Sequence, residues 1–82
     1  MFHHVQTVEP QPGMTLRVTF RSGDVKLYDV KPLLARWEAF QALAQVRGLF
    51  EQVHVDQGGY GISWNEDIDL SCNELWENGV SP

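Results

Sequence analysis

The chain has 82 residues, of which 43% are hydrophobic and 11% aromatic, and its formal net charge at pH 7 is −5. This composition is typical of a globular protein rather than a disordered one, and the length leaves room for one domain, residues 1–82. A single cysteine excludes an internal disulfide, and no apolar run approaches the roughly 20 residues of a membrane-spanning helix. Because the N-terminus also lacks the pattern of a signal peptide, we expect a cytoplasmic protein.

The N-terminal third of the chain predicts three strands, the last two joined as a hairpin. Residues 3–9 are typical of a short edge strand. Residues 14–20 alternate between apolar and polar side chains, which indicates a strand with one buried face. Residues 21–24 predict a tight turn with Gly23 at positive φ, and residues 25–29 return as the second arm. The side chains of that arm expected to point inward are Val25 and Leu27.

The middle of the chain predicts a helix and then a second hairpin. Pro32 suits the first turn of a helix, where its missing N–H is not needed, and Gly48 ends that helix. Apolar residues recur between them at helical spacing. This stripe comprises Leu33, Trp37, Phe40, Leu43 and Ala44. Residues 52–56 and 60–64 then alternate on either side of a glycine-containing turn at residues 57–59, which predicts two more strands.

The C-terminal segment predicts a short helix, Cys72 to Asn78. Ser71 and Glu74 have the spacing of a capping box, in which each side chain hydrogen-bonds the backbone N–H of the other. Gly79 is a typical residue to end such a helix. The element order is therefore β-β-β-α-β-β-α. It predicts an α+β domain with a mainly antiparallel sheet of about five strands and with helices packed on one face.

The spacing of several apolar, glycine and acidic residues resembles the small bacterial proteins grouped as domain of unknown function 2442. The matching residues are Phe20, Gly23, Tyr28-Asp29, Pro32-Leu33-Leu34, Phe40, Leu43, Phe50, Val53, Val55-Asp56, Gly61-Ile62, Trp64, Asp69-Leu70, Leu75-Trp76 and Gly79. The resemblance covers nearly the whole chain. It implies an α+β fold and no established activity, so it supplies no catalytic residues. Members of the family occur alone, fused to a helix-turn-helix DNA-binding domain, or encoded beside another small protein in apparent toxin–antitoxin pairs. We expect this chain to have no room for a helix-turn-helix.

The charges are divided unequally along the chain. Residues 1–47 contain all six bases and four acids, for a net charge of +2, whereas residues 48–82 contain no base and seven acids, for −7. Such an acidic segment can bind a basic partner. The candidate partner-binding residues are Glu66, Asp67, Asp69, Glu74, Trp76 and Glu77. Trp76 is expected to be partly exposed as an interface anchor. We therefore expect a non-enzymatic protein-interaction module, antitoxin-like or a regulatory accessory protein, with a basic protein as its partner.

Three alternative functions stay open. The first is self-assembly into a homodimer through a sheet edge or through oppositely charged surfaces. The second is a small-ligand sensor with a pocket near Tyr60 and Trp64. The third is a nucleic-acid contact through a basic strand face, which the net charge of −5 disfavours. The residues of that candidate basic face are Arg17, Arg21, Lys26 and Tyr28.

The sequence predicts no catalytic, cofactor or metal site. Asn65, Asp67 and Asp69 have the spacing that opens a calcium loop, but the sixth and twelfth positions are Leu70 and Trp76 instead of glycine and glutamate. The histidines and the cysteine are too isolated in sequence for a zinc site, which needs three or four ligands. The cysteine also falls on the apolar face of the C-terminal helix, where a thiol is typically an inert hydrophobe.

Overall fold

A computed structural model describes residues 2–82 and shows an α+β fold with two three-stranded antiparallel sheets and three α-helices. The first sheet contains β1 (Val5–Gln11), β2 (Thr15–Phe20) and β3 (Val25–Asp29), and the second contains β4 (His54–Val55), β5 (Gly61–Asn65) and β6 (Ile68–Ser71). The helices are α1 (Lys31–Arg36), α2 (Ala42–Gln45) and α3 (Cys72–Asn78). Short 3-10 turns cover Glu38–Gln41, Phe50–Gln52 and Gln57–Gly59. The fold class is confirmed, but six strands in two sheets replace the expected sheet of about five.

In the first sheet the strand order is β1-β2-β3. Leu16, Val18 and Phe20 are buried on one face of β2, as their alternation predicted. Gly23 lies in the β2–β3 turn with a φ of 95°, a value that an L side chain rarely adopts, so the predicted turn is also confirmed. The first hairpin is therefore built largely as its sequence indicates.

The face that β3 presents to the core is the opposite of the one expected. Tyr28 pairs with Leu16 and is only 3% exposed, whereas Leu27 pairs with Arg17 and is half-buried. Residues directly opposite each other in an antiparallel pair lie on the same face. Thr19 pairs with Val25 and the Phe20 N–H donates to the Asp24 carbonyl at 2.8 Å, so the loop is residues 21–23, one residue shorter than expected. A shift of one residue in register exchanges the two faces of a strand. The expectation that Val25 and Leu27 point inward is wrong.

The predicted continuous helix between Pro32 and Gly48 is interrupted. Trp37 has extended backbone angles (φ −123°, ψ 120°), which end α1, and its side chain is 56% exposed. Ala44 is also exposed. The other three members of the predicted stripe, Leu33, Phe40 and Leu43, are buried. The break at Trp37 changes the phase of the helical repeat, so the later residues of the stripe reach the core from a 3-10 turn and from α2 instead of from one helix.

The second sheet contains a strand that the sequence analysis did not predict. The sequence analysis assigned no element to residues 65–70, but Ile68–Ser71 form β6, which pairs with β5. Only Glu66 and Asp67 belong to the connecting turn, and the Asn65 side-chain oxygen accepts a hydrogen bond from the Asp67 N–H at 2.8 Å. Ile68 and Leu70 are buried while Asp69 is exposed. The strand alternation was present in the sequence but was obscured by the calcium-like spacing of the acids.

Helix α3 begins and ends where predicted. The Ser71 hydroxyl oxygen accepts a hydrogen bond from the Glu74 N–H at 3.1 Å, and the Gly79 N–H donates to the Leu75 carbonyl. The second hydrogen bond of the expected capping box is not formed, because the Glu74 carboxylate bonds side chains instead of the Ser71 N–H. Beyond the helix, Val80 exchanges two backbone hydrogen bonds with Leu27, at 2.7 and 2.8 Å, along the outer edge of β3.

One hydrophobic core joins the two sheets and α3. Its fully buried members come from both sheets, from α3 and from the residue that joins β3 to α1: Val5, Leu16, Val18, Phe20, Val30, Ile62, Ile68, Cys72 and Leu75. Tyr28 lies at the edge of this core, where the end of β3 meets α3. The polar end of its side chain therefore reaches the boundary between the sheet and the two helices α1 and α3.

Candidate functional site

A cleft lies between the end of β3, helix α1 and helix α3. Its volume is about 260 Å³, and its lining contains both charged and apolar side chains. The lining residues are Tyr28, Asp29, Pro32, Leu33, Arg36, Glu74 and Asn78. The cleft forms where β3 directs Tyr28 toward the core, because the side chains of α3 meet the tyrosine there.

The Tyr28 hydroxyl is held by the carboxylate of Glu74. It donates a hydrogen bond to Glu74 Oε2 at 2.7 Å, and the Asn78 side-chain amide donates to the same oxygen at 2.9 Å. Burial of the tyrosine is the main cause that raises its pKa far above the ordinary value of 10.0, and the hydrogen bond and negative charge of Glu74 add to it. The positive charge of Arg36 acts in the opposite direction on this pKa. The hydroxyl is therefore a neutral hydrogen-bond donor at physiological pH.

Of the charged residues in the cleft, Asp29 is the one engaged in an ion pair. Its Oδ1 lies 2.9 Å from Lys31 Nζ and also accepts a hydrogen bond from the Lys31 N–H at 3.0 Å. These contacts with Lys31 lower the pKa of the Asp29 carboxyl. Within residues 2–82 this is the one ion pair shorter than 4 Å, so neither Arg36 nor Glu74 contacts an opposite charge there.

The structure separates the candidate acidic residues into two places. Glu66, Asp67 and Asp69 are exposed on the β5–β6 hairpin, which we call the acidic hairpin. Glu77 is exposed on α3. Glu74 is half-buried and its carboxylate is engaged by Tyr28 and Asn78 in the cleft. An outward role in partner binding is thus better suited to the acidic hairpin and Glu77 than to Glu74.

Trp76 is half-buried and packs within the molecule. Its ring is stacked on His3, with ring centroids 3.7 Å apart and planes 3° from parallel, and it meets Phe20 edge-on at 5.0 Å. The Lys26 ammonium lies 4.3 Å from the centroid of the Trp76 ring and donates a hydrogen bond to the Trp76 carbonyl. Trp76 is thus partly exposed, as expected, and these contacts hold its ring within the molecule; its role as an interface anchor stays a prediction.

The candidate basic face is not formed. Arg17 is exposed and pairs with Leu27, whereas Lys26 and Tyr28 lie on the opposite, inner face of the same hairpin. Arg21 lies in the turn, where its guanidinium is 3.2 Å from His4 Nδ1. The same one-residue difference in register that buries Tyr28 therefore separates the four residues of the predicted face.

The pocket expected near Tyr60 and Trp64 is also not the cleft described above. Trp64 is buried, and its indole N–H donates to the Phe50 carbonyl at 2.9 Å. Tyr60 is 54% exposed and contacts Phe2 edge-on at 5.5 Å. The two rings thus belong to different environments, the core and the surface.

Among residues 2–82, no group of three or more His, Cys, Asp and Glu side chains is placed to hold a metal ion. Cys72 is a buried free thiol in the core. The part of the chain that the structure describes has no helix long and apolar enough to cross a membrane.

The sequence analysis missed the cleft, and with it the roles of Arg36 and Asn78. One usable signal was present: Glu74 and Asn78 are four residues apart on α3, so their side chains lie on the same face of that helix. The position of Tyr28 opposite this pair depends on the β2–β3 register and on how α3 packs against β3, which spacing along the chain does not reveal.

Comparison with known proteins identifies a family. Residues 5–81 match the family described as Protein of unknown function (DUF2442). No curated protein matches the chain, and no solved structure matches it. Because the family match extends over nearly all of the residues, the chain belongs to the DUF2442 family of proteins of unknown function.

Proposed function

We propose that this protein is a non-enzymatic interaction module of the bacterial cytoplasm that binds a basic protein through its acidic hairpin and Glu77. Its biological role would be that of an antitoxin-like or regulatory accessory protein. The observation that carries the proposal is that these acids are exposed and make no ion pair within residues 2–82. Their negative charge is thus available to a partner.

The arrangement of the acidic hairpin supports this role. Its turn is fixed by the hydrogen bond from the Asp67 N–H to the Asn65 side chain, and β6 holds Asp69 on the exposed face of the second sheet. A rigid array of like charges loses little conformational freedom when it binds a partner of opposite charge. Residues 48–82 contain no base that could compete with the partner for these acids. Electrostatic attraction of this kind mainly accelerates association.

The first test identifies the partner and then measures its association. The tagged protein is used for affinity capture from its native extract at low and moderate salt, and the captured proteins are identified by mass spectrometry. We expect one stoichiometric basic protein that is lost as salt rises. The association rate of that protein is then measured by stopped flow with the double variant Asp67→Asn and Asp69→Asn. We expect a rate at least several-fold lower at low salt, with a weaker salt dependence.

A matched control separates local charge from net charge. Glu9→Gln with Glu38→Gln removes the same number of negative charges from exposed positions outside the acidic hairpin. This double variant is expected to associate at nearly the wild-type rate. An unchanged rate and salt dependence for the Asp67 and Asp69 variant, or an equal loss in both variants, contradicts the proposed surface.

A further inference from the structure

Besides Asp29, which pairs with Lys31, the cleft between β3, α1 and α3 contains one positive and one negative side chain that form no ion pair with each other. Arg36 and Glu74 both line the cleft, and both charges act on the pKa of the Tyr28 hydroxyl. No ion pair shorter than 4 Å joins them in residues 2–82. The cleft therefore presents two opposite charges in the lining of a space large enough for a small molecule.

Both groups retain hydrogen-bonding capacity. Glu74 Oε2 accepts from Tyr28 and Asn78, while Oε1 accepts no hydrogen bond within residues 2–82. The guanidinium of Arg36 makes neither a hydrogen bond nor an ion pair within the same residues, so its donors are available to a ligand. Because Tyr28 and Asn78 fix the carboxylate of Glu74, this negative group is held in position before any ligand arrives.

The charges and the volume restrict the class of ligand. A cation alone would pair with Glu74 but face the positive charge of Arg36, and an anion alone would face Glu74. A molecule with both charges can satisfy both residues, with a carboxylate against the planar guanidinium. The volume of about 260 Å³ suits a small molecule, and Pro32 and Leu33 provide an apolar wall for a hydrocarbon side chain.

We propose that this cleft binds a free α-amino acid with an apolar side chain. The ammonium group of the ligand donates to Glu74, its carboxylate accepts from Arg36, and its side chain packs against Pro32 and Leu33. The site is distinct from the protein-binding surface of the acidic hairpin and Glu77, so it adds a small-ligand function that does not depend on that surface.

Calorimetric titration of the wild-type protein with three matched ligands tests the charge requirement. L-Leucine has both charges, N-acetyl-L-leucine lacks the ammonium group, and L-leucinamide lacks the carboxylate. We expect L-leucine to bind and each of the other two to bind at least about tenfold more weakly, since each loses one charge-assisted hydrogen-bonded contact. No heat of binding from millimolar L-leucine, or equal affinity for the three ligands, overturns the proposal.

Substitutions then assign the two charges to their residues. Arg36→Gln and Glu74→Gln are each expected to weaken L-leucine binding by about tenfold or more. The glutamine at position 74 keeps an oxygen that can accept from Tyr28, and circular dichroism verifies that each variant is folded. Arg47→Gln and Glu9→Gln are the matched controls, because they remove the same charges at exposed positions outside the cleft. If L-leucine binds both Arg36→Gln and Glu74→Gln as tightly as the wild type, the proposed site is wrong. That outcome would not affect the proposal that the acidic hairpin binds a protein.

Discussion

Tyr28 is the residue on which the candidate cleft most depends. Its hydroxyl joins β3 to α3 by a hydrogen bond to Glu74, across 46 positions of the chain. The alternation of this strand led us to expect Tyr28 on the outer face, but alternation alone does not fix the register of the hairpin. The three-residue hairpin loop decides the face, because it shifts the β2–β3 register by one residue and directs Tyr28 inward. This part of the site could not be predicted from residue types alone.

Replacement of Tyr28 by phenylalanine should change the pH dependence of stability. The folded state holds the hydroxyl proton above the ordinary pKa of 10.0, so the contribution of Tyr28 is fully present below that pH and is lost as pH rises above it. The wild-type free energy of unfolding should therefore fall by up to about 1.4 kcal/mol per pH unit above that value from this group. Tyr28→Phe should lack this component and be about 1 kcal/mol less stable at neutral pH. Urea unfolding at pH 7 and across the alkaline range measures both effects.

Tyr60→Phe is the matched control for this experiment, since Tyr60 is 54% exposed. It should retain the fall in stability above the ordinary tyrosine pKa. Equal alkaline loss in the wild type and in Tyr28→Phe would show that the Tyr28 hydroxyl does not have a raised pKa in the folded state.

At the scale of elements, the sequence predicted best where local chemistry and tertiary packing agree. The alternation of β2 and the Ser71 cap of α3 are both local signals, and both appear in the structure. The segment from Pro32 to Gly48 was predicted as one helix because its apolar spacing is helical. The extended backbone of Trp37 interrupts this helix, and the spacing of apolar residues does not reveal a break of this kind. Strand β6 was missed although Ile68 and Leu70 alternate with polar residues.

The cap of α3 gives a prediction at this scale. Ser71→Ala removes the acceptor of the Glu74 N–H and should lower the free energy of unfolding by about 1 kcal/mol, whereas Ser71→Asp should retain most of it. Chemical denaturation at neutral pH measures the difference. Ser81→Ala, in the exposed C-terminal tail, serves as the control and should unfold like the wild type. If Ser71→Ala is as stable as the control, the cap does not contribute to the stability of α3.

At the scale of the whole molecule, the charge distribution was predictable, whereas the joining of the two sheets was not. The division between residues 1–47 and 48–82 is visible in the sequence and fixes which segment carries the exposed acids. The contact between β1 and the second sheet depends on backbone geometry at Gly59. A Cβ added to Gly59 would lie 2.7 Å from the Val5 carbonyl oxygen. Sequence alone indicated only a turn at this glycine.

Two glycines with the same backbone angle allow this close approach to be measured. Gly59 and Gly13 both have a φ of +77°, but a Cβ at Gly13 would meet nothing within 4 Å. Gly13→Ala should therefore lower the free energy of unfolding by about 1 kcal/mol through backbone strain alone. Gly59→Ala should lower the free energy of unfolding by the same amount and by at least about 1 kcal/mol more, because the new methyl group would separate β1 from the second sheet. Thermal and urea unfolding compare the two variants. Equal losses would indicate that the sheets can move apart without cost.

The pairing of Val80 with Leu27 has a consequence for how the protein is handled. An open strand edge is a template on which another chain can add its own strand, and the tail occupies part of that edge on β3. Exopeptidase trimming that removes Val80 would leave the hydrophobic core intact but expose the Leu27 N–H and carbonyl groups. A preparation clipped in this way should turn cloudy on storage, and deposit fibrillar material, before its circular dichroism spectrum changes.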